Sequence, residues 1–243
     1  MRVNPIKGFA ALEGLYPDGK RLIVLSDLHF GITAAAGVKR PTPEEEVEES
    51  LQTIDRMTKE MSVKGIVLLG DLKHGLYRPS LYEKKALKSF SRGLSERSDV
   101  WFVKGNHDYE VEEFLNSRVA QVGSTGLEID KTLFLHGHSL PRRGRPLESY
   151  DRIVSGHIHP QAFLNGEWVP VWLILRNIKE NKPEEVVVLP HFSRYASKIG
   201  YRPGSPVTTT PYMRKLRLEE YEYTMLDISL KLVSQGPAKR AVF

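Results

Sequence analysis

The sequence predicts an α/β protein in which two sheets stack face to face with helices on their outer sides. Two observations carry this. The first two thirds of the 243-residue chain alternate short β-rich runs with amphipathic helical stretches, and the remainder is dominated by β signals. There is no internal repeat and no long low-complexity linker, so residues 1–243 read as one domain.

The elements follow in chain order. Arg21–Ser26 (RLIVLS) is a short β-rich run. Thr42 reads as an N-cap, Pro43 as the first helical residue, and Glu44 and Glu45 as first-turn acids. Val47, Leu51, Ile54 and Met61 follow at helical spacing, which predicts a helix over about 43–62. Gly65–Leu69 is a buried strand, Ser80–Arg97 a second helix with Leu87, Phe90 and Leu94 on one face, and Val100–Val103 the next strand. Beyond it, Leu133–Leu135, Ile153–Val154, Val169–Leu175, Val186–Leu189 and Tyr223–Leu230 read as strands. Residues 191–217, with Pro203, Gly204, Pro206 and Pro211, read as a long loop of the kind that often carries function.

Composition narrows the class. Hydrophobic residues make up 40% and charged residues 27%, which excludes a disordered or fibrous chain. No apolar run is long enough to span a bilayer, and Met1-Arg2-Val3-Asn4-Pro5 lacks the apolar core of a signal peptide. The expectation is a soluble cytoplasmic protein with no membrane partner. Cysteine is absent, so disulfides, thiolate metal sites and cysteine nucleophiles are excluded, and any metal must be held by His, Asp, Asn or Glu. The net charge of +5 says less than its distribution. Residues 191–217 carry Arg194, Lys198, Arg202, Arg214, Lys215 and Arg217 and no acid, whereas 44–49 read EEEVEE. The basic stretch reads either as a face for a polyanion or as a solvated loop.

The chemistry sits where the strands end. Strand 21–26 runs into Asp27-Leu28-His29, and strand 65–69 into Gly70-Asp71. Strand 100–103 runs into Gly105-Asn106-His107-Asp108, strand 133–135 into His136-Gly137-His138, and strand 153–154 into Gly156-His157-Ile158-His159. In α/β sheets the carboxyl edge of the strands is where ligands bind. Asp27/His29 and His157/His159 are i, i+2 pairs, which in an extended chain point to one side. A single histidine at a strand end is ordinarily a packing residue, but five such elements in succession are not independent accidents. Asp27, His29, Asp71, Asn106, His136, His157 and His159 supply enough donors for two divalent metal ions. Carboxylate and imidazole suit Mn²⁺ first, with Fe or Zn as alternatives. Two adjacent ions clamp the attacking and leaving oxygens of phosphate-ester hydrolysis.

The ordered motifs DLH (27–29), GDLKH (70–74), GNHD (105–108), HGH (136–138) and GHIH (156–159) resemble the calcineurin-like metallophosphoesterase superfamily. The resemblance implies a four-layer α/β/β/α sandwich of two mixed sheets flanked by helices. It implies that Asp27, His29, Asp71 and His159 hold one metal, that Asp71 bridges, and that Asn106, His136 and His157 hold the other. It makes His107 the catalytic residue, facing the substrate and protonating the leaving oxygen, with a metal-bridging hydroxide as nucleophile. His74 stands where an acid is commoner, at a position that can orient the catalytic histidine, and it reads equally well as a residue behind the ligands. His138 reads as a residue behind the ligands, and Asp108 as a cap for the turn that follows it.

The motifs fix the reaction class better than the substrate. His74-Gly75 and GNHD depart from the protein Ser/Thr phosphatase pattern, and a histidine at 107 departs from the lipid-A pyrophosphatase pattern. DLHFG, GDLKH, GNHD, GHIHP and the late Leu189-Pro190-His191-Phe192 are most similar to archaeal phosphoesterases related to the SbcD-like DNA-repair nucleases. The chain has no room for the capping domain or ATPase-binding segment of the full repair nucleases, which argues against a coiled-coil ATPase partner; a homodimer fits as well as a monomer. Arg142 and Arg143, with Arg145, follow His136 in one loop and suit phosphates flanking the scissile one. Phe192, Tyr195, Tyr201 and Tyr212 offer either base stacking or core packing. The reading is a phosphodiesterase acting on DNA or RNA. The alternative is a phosphatase or cyclic-nucleotide phosphodiesterase acting on small nucleotides. The intact motif set argues against a binding module with a vestigial metal site.

Overall fold

A computed structural model describes residues 1–16, 18–196 and 210–238. Lys198, Tyr201, Arg202, Pro203, Gly204 and Pro206 of the expected loop lie outside the described residues. The first sheet is built from β1 (Arg2–Pro5), β2 (Leu12–Leu15), β3 (Arg21–Leu25), β4 (Val63–Leu69), β5 (Asp99–Val103) and β6 (Val119–Val122), side by side in chain order. The β1–β2 and β2–β3 pairs are antiparallel, and β3 to β6 are parallel. After β3 come the single turn α1 (Ile32–Ala35) and helix α2 (Pro43–Thr58); α3 (Leu81–Ser95) connects β4 to β5. Both long helices start on a full capping box. The Thr42 and Ser80 hydroxyls accept the backbone N–H of Glu45 and Glu83, and those carboxylates accept back from the cap amides.

The second sheet comprises β7 (Leu127–Ile129), β8 (Thr132–Leu135), β9 (Arg152–Ser155), β10 (Gln161–Leu164), β11 (Glu167–Asn177), β12 (Glu185–Val188), β13 (Tyr221–Asp227) and β14 (Leu232–Pro237). Its order is β14-β13-β11-β12-β9-β8-β7, with β10 paired to β11. Only β8–β9 and β9–β12 are parallel. Both sheets are therefore mixed, as the resemblance implies.

Three apolar clusters stack the layers. Leu22, Val24, Val67 and Val103 of the first sheet meet Phe134, Val154, Trp172 and Val187 of the second. The opposite face of the first sheet, with Ile23, Leu25, Ile66, Leu68 and Phe102, packs on Val47, Ile54, Leu87, Phe90 and Leu94 of α2 and α3. The outer face of the second sheet is covered differently. Among the described residues, short 3₁₀ turns at 147–149, 213–215 and 218–220 supply Leu147, Met213 and Leu218 to that cluster, with Tyr212 beside them. The outer layer there is thinner than a helical one. No helix among the described residues is long and apolar enough to cross a membrane.

Packing also disposes of part of the basic stretch. Arg194 pairs with Glu49 of the acidic run at 3.4 Å, and the Tyr195 hydroxyl donates to the same carboxylate at 2.7 Å. Arg217 pairs with Glu220. Tyr212 is fully buried, its hydroxyl 2.6 Å from that of Ser155, and Phe192 packs against the helix-side core. Tyr212 is therefore not free to stack on a base, and Phe192 is half-buried.

Candidate metal centre

Parallel β3, β4 and β5 end on one edge of the first sheet, and parallel β8 and β9 end on one edge of the second. The segments after these five strands converge. Asp27, His29 and His159 form one group of metal-capable donors and Asp71, His136 and His157 another; within each, the candidate ligand atoms lie within 4.8 Å of one another. Asp71 lies between the groups, its Oδ2 3.3 Å from His136 Nε2 and 3.8 Å from His29 Nε2. Asn106 Oδ1 is 3.1 Å from His136 Nε2. All seven expected ligands therefore come together.

The extended geometry expected for the i, i+2 pairs is not what brings them there. Asp27 (φ 60°), His29 (49°), Asp71 (51°), His157 (76°) and His159 (44°) are all in the left-handed region. Side chains on non-glycine residues there cost about 1–3 kcal/mol each and gather at functional sites. The alternation aims His157 and His159 at different groups, which a simple strand could not do. The turns need room as well as strain. A Cβ on Gly156 would sit 1.7 Å from Ser26 Oγ and 2.4 Å from Asp27 Oδ2. Gly70, itself at φ +71°, lies so close to Gly105 that its Cβ would be 2.6 Å from the Gly105 Cα.

Hydrogen bonds orient the donors. The Ser26 hydroxyl donates to Asp27 Oδ2 at 2.6 Å, and the His157 N–H donates to the same oxygen at 3.0 Å. His136 Nδ1 lies 2.7 Å from the Leu69 carbonyl, so Nδ1–H donates there and Nε2 faces Asp71 and Asn106. Burial and neighbouring His159 depress the pKa of His29 to about 3, and burial and His136 depress that of His157 to about 4. Both rings are neutral at physiological pH and present lone pairs. His136 is the exception: burial opposes its charge, but Asp71 and Asp27 outweigh burial and raise its pKa to about 9. Despite burial, His159 and then His136 hold the Asp27 carboxyl, and His136 the Asp71 carboxyl, below the usual carboxylate range. Two buried carboxylates ringed by imidazole nitrogens are the donor chemistry that divalent cations require, with the His136 proton given up when an ion binds, so the residues present fit a two-ion centre.

His107 stands at the rim with 20% of its side chain exposed. Its backbone N–H donates to Asp71 Oδ1 at 2.9 Å, and Nε2 is 3.8 Å from Asp71 Oδ2. Its Nδ1 bonds to the backbone carbonyl of His74. The orienting contact at position 74 therefore comes from the main chain. The His74 ring stacks on that of His107 with centroids 5.8 Å apart, and its pKa is lowered by burial and by His107. The rings of His29, His74 and His107 form a third group of close donors. The His138 ring lies 5.3 Å from that of His136 and 6.1 Å from that of His157, and its pKa is lowered to about 4 by burial and His136. Arg142 and Arg143 are exposed on the loop after β8. Arg145 pairs with Glu128.

Asp108 does not cap the turn after it. It is fully buried, and its carboxylate reaches back to accept the backbone N–H of Asp71 (2.7 Å), Leu72 (2.9 Å) and Gly105 (2.8 Å). It thus locks the turn after β4 to the turn after β5. Burial, then the Asp71 charge, raises its pKa to about 6, with the Gly105 amide, His136 and the Leu72 amide opposing. Asp108→Ala strands three buried donors. We expect it to lower the unfolding free energy by about 3–5 kcal/mol in urea titration, and Asp108→Asn, which keeps one acceptor, by less.

The sequence reading passed over two further groups. Lys73 is wholly buried, and its ammonium donates to the carbonyls of Gly75 and Tyr77. Buried His191 lies with its ring 5.4 Å from that of His159, and its Nδ1–H donates to the Ser193 carbonyl. A lysine inside GDLKH and a histidine inside LPHF carried no signal that separated them from surface residues.

Comparison with known proteins supports this geometry. The sequence profile described as calcineurin-like phosphoesterase matches residues 20–228. Among solved structures, the chain is similar to the crystal structure of the nuclease MPE of Pseudomonas putida, with a TM-score of 0.55 and 17% identity over 94% of this chain and 98% of that one. At that identity the likeness is one of fold.

Proposed function

The chain belongs to the calcineurin-like phosphoesterases, metal-dependent hydrolases, and we propose that it is a nuclease that hydrolyses phosphodiester bonds in DNA or RNA with Mn²⁺. The observation that carries this is the convergence of two donor groups around Asp71 with His107 at their open rim. Asp27, His29, Asp71 and His159 would hold one ion, and Asp71, Asn106, His136 and His157 the other. Two ions so held would supply positive charge to the attacking and leaving oxygens of phosphodiester hydrolysis.

The remaining work falls to the chain. Because His107 Nδ1–H is engaged by the His74 carbonyl, Nε2 is the nitrogen presented to substrate. Protonated at Nε2, His107 stabilises charge on the phosphoryl oxygens and hands that proton to the leaving oxygen. The backbone N–H of His107 on Asp71 Oδ1 keeps its ring in step with the ligands. Arg142 and Arg143, exposed four and five residues beyond His138, contact phosphates flanking the scissile one.

The fold likeness to a protein described as a nuclease supports a polymeric substrate. The test is incubation of the Mn²⁺-loaded protein with end-labelled single- and double-stranded DNA and RNA, beside mononucleotides and cyclic nucleotides. Cleavage of a polymer is the expected result. Turnover of small nucleotides with intact polymers would replace this reading with that of a small-nucleotide phosphoesterase.

A further inference from the structure

Two of the exposed aromatic residues lie outside the segment the sequence favoured. Tyr77 is 82% exposed and Tyr109 is 52% exposed, with Leu76 (56%) and Leu81 (81%) beside Tyr77 in the chain. Tyr109 follows His107 by two residues and Tyr77 follows His74 by three. At no more than about 3.6 Å per residue, their Cα atoms lie within roughly 7 and 11 Å of the Cα atoms of those two histidines. Both tyrosines therefore border the rim at which the scissile phosphate is handled.

Their backbones are held firmly while their rings face water. The buried Lys73 ammonium donates to the Tyr77 carbonyl at 2.7 Å, and Glu83 accepts the Gly75 N–H at 2.7 Å. Asp108 pins the other loop through the Gly105 N–H. Arg78 and Glu110, the neighbours of the two tyrosines, form an ion pair at 2.9 Å that ties the loops together. The fixed setting of these loops, which also holds the metal-capable turns, leaves two large aromatic rings in water. It suits a platform that meets a flat, apolar ligand in a set place.

We propose that Tyr77 and Tyr109 are stacking platforms for unpaired nucleobases next to the scissile phosphate, so that the substrate is single-stranded nucleic acid or the single-stranded part of an end or flap. The inference rests on the nuclease reading above and adds strand form to it. Every base presents a π-face, so tyrosine stacking is tolerant of sequence. Paired bases in a duplex are already stacked and offer no free face to these rings.

The test uses the full chain loaded with Mn²⁺, and the ratio of kcat/KM on a single-stranded oligonucleotide to kcat/KM on a small chromogenic phosphodiester. Tyr77→Ala with Tyr109→Ala is expected to lower that ratio by about 5- to 150-fold for each base that loses its platform, mostly through KM. Tyr77→Phe with Tyr109→Phe, which keeps the rings, is expected to restore it. An independent reading is binding of an oligonucleotide bearing 2-aminopurine to the metal-free protein: stacking quenches its fluorescence, and the alanine variant should remove the quenching. An unchanged ratio in the alanine variant overturns the proposal. So does a shift from dimer to monomer in that variant with the ratio unchanged, which would assign the patch to a second copy. Wild type that turns over the small diester but leaves single strands intact defeats the nuclease reading itself, and does so before any tyrosine variant is compared.

Discussion

His107→Ala is expected to lower kcat by about 10²–10⁴-fold on phosphodiesters with alkoxide leaving groups, the range for removal of a general acid. The loss should be much smaller on a nitrophenyl diester, whose leaving group departs without a proton. That contrast follows from the geometry. Nδ1 is committed to the His74 carbonyl, so only Nε2, 3.8 Å from Asp71 Oδ2, can reach a leaving oxygen. Metal content separates this role from ligation. His107 lies close enough to His29 and His74 to be mistaken for a ligand. If it acts as an acid, the alanine variant retains its metal stoichiometry by elemental analysis. A variant that loses metal together with activity would make His107 a ligand, and an equal loss on both diesters would remove the proton-transfer role.

The strand-end motifs were legible because each follows a short apolar run, and the topology then brings parallel strands to one edge. The helix starts at 42–43 and 80 were legible for the same local reason, since capping is chemistry within four residues. The edge strands β1, β6, β7, β10 and β14, and β2 beside β1, were not. They are three to six residues long, several contain proline or glycine, and they exist only because a neighbouring strand offers its open edge. The left-handed backbone of the metal-capable residues was hidden for a different reason. A positive φ on Asp or His is imposed by surrounding contacts such as the His157 N–H on Asp27, which no local pattern announces. The part played by Asp108 was hidden by distance, since it bonds to backbone 36 and 37 residues away. Exposure was equally illegible. Tyr212 and Tyr77 look alike as letters, yet one fills the core and the other faces solvent.

Asp71→Asn is the second substitution with a large expected effect, because one side chain serves both donor groups. Asparagine keeps an oxygen that can accept the His107 N–H now bound at 2.9 Å, so the rim should persist. What disappears is the charge. Asp71 and Asp27 together outweigh the burial that opposes positive charge on His136, and Asp71 Oδ2, 3.3 Å from His136 Nε2 and 3.8 Å from His29 Nε2, brings one anion to ligand nitrogens of both groups. A neutral amide there leaves Asp27 as the remaining carboxylate of the two donor groups. We expect bound metal to fall from two ions per chain to one or fewer, and kcat to fall by at least about 10²–10³-fold, the scale for loss of one preorganised stabilising group. Thermal unfolding gives a readout free of activity. Metal at 100 times its dissociation constant adds about 2.7 kcal/mol per site to the folded state, so the Mn²⁺-induced rise in Tm should shrink in the variant. Two ions bound with an undiminished rise in Tm would show that Asp71 does not join the groups, and that each holds its ion without it.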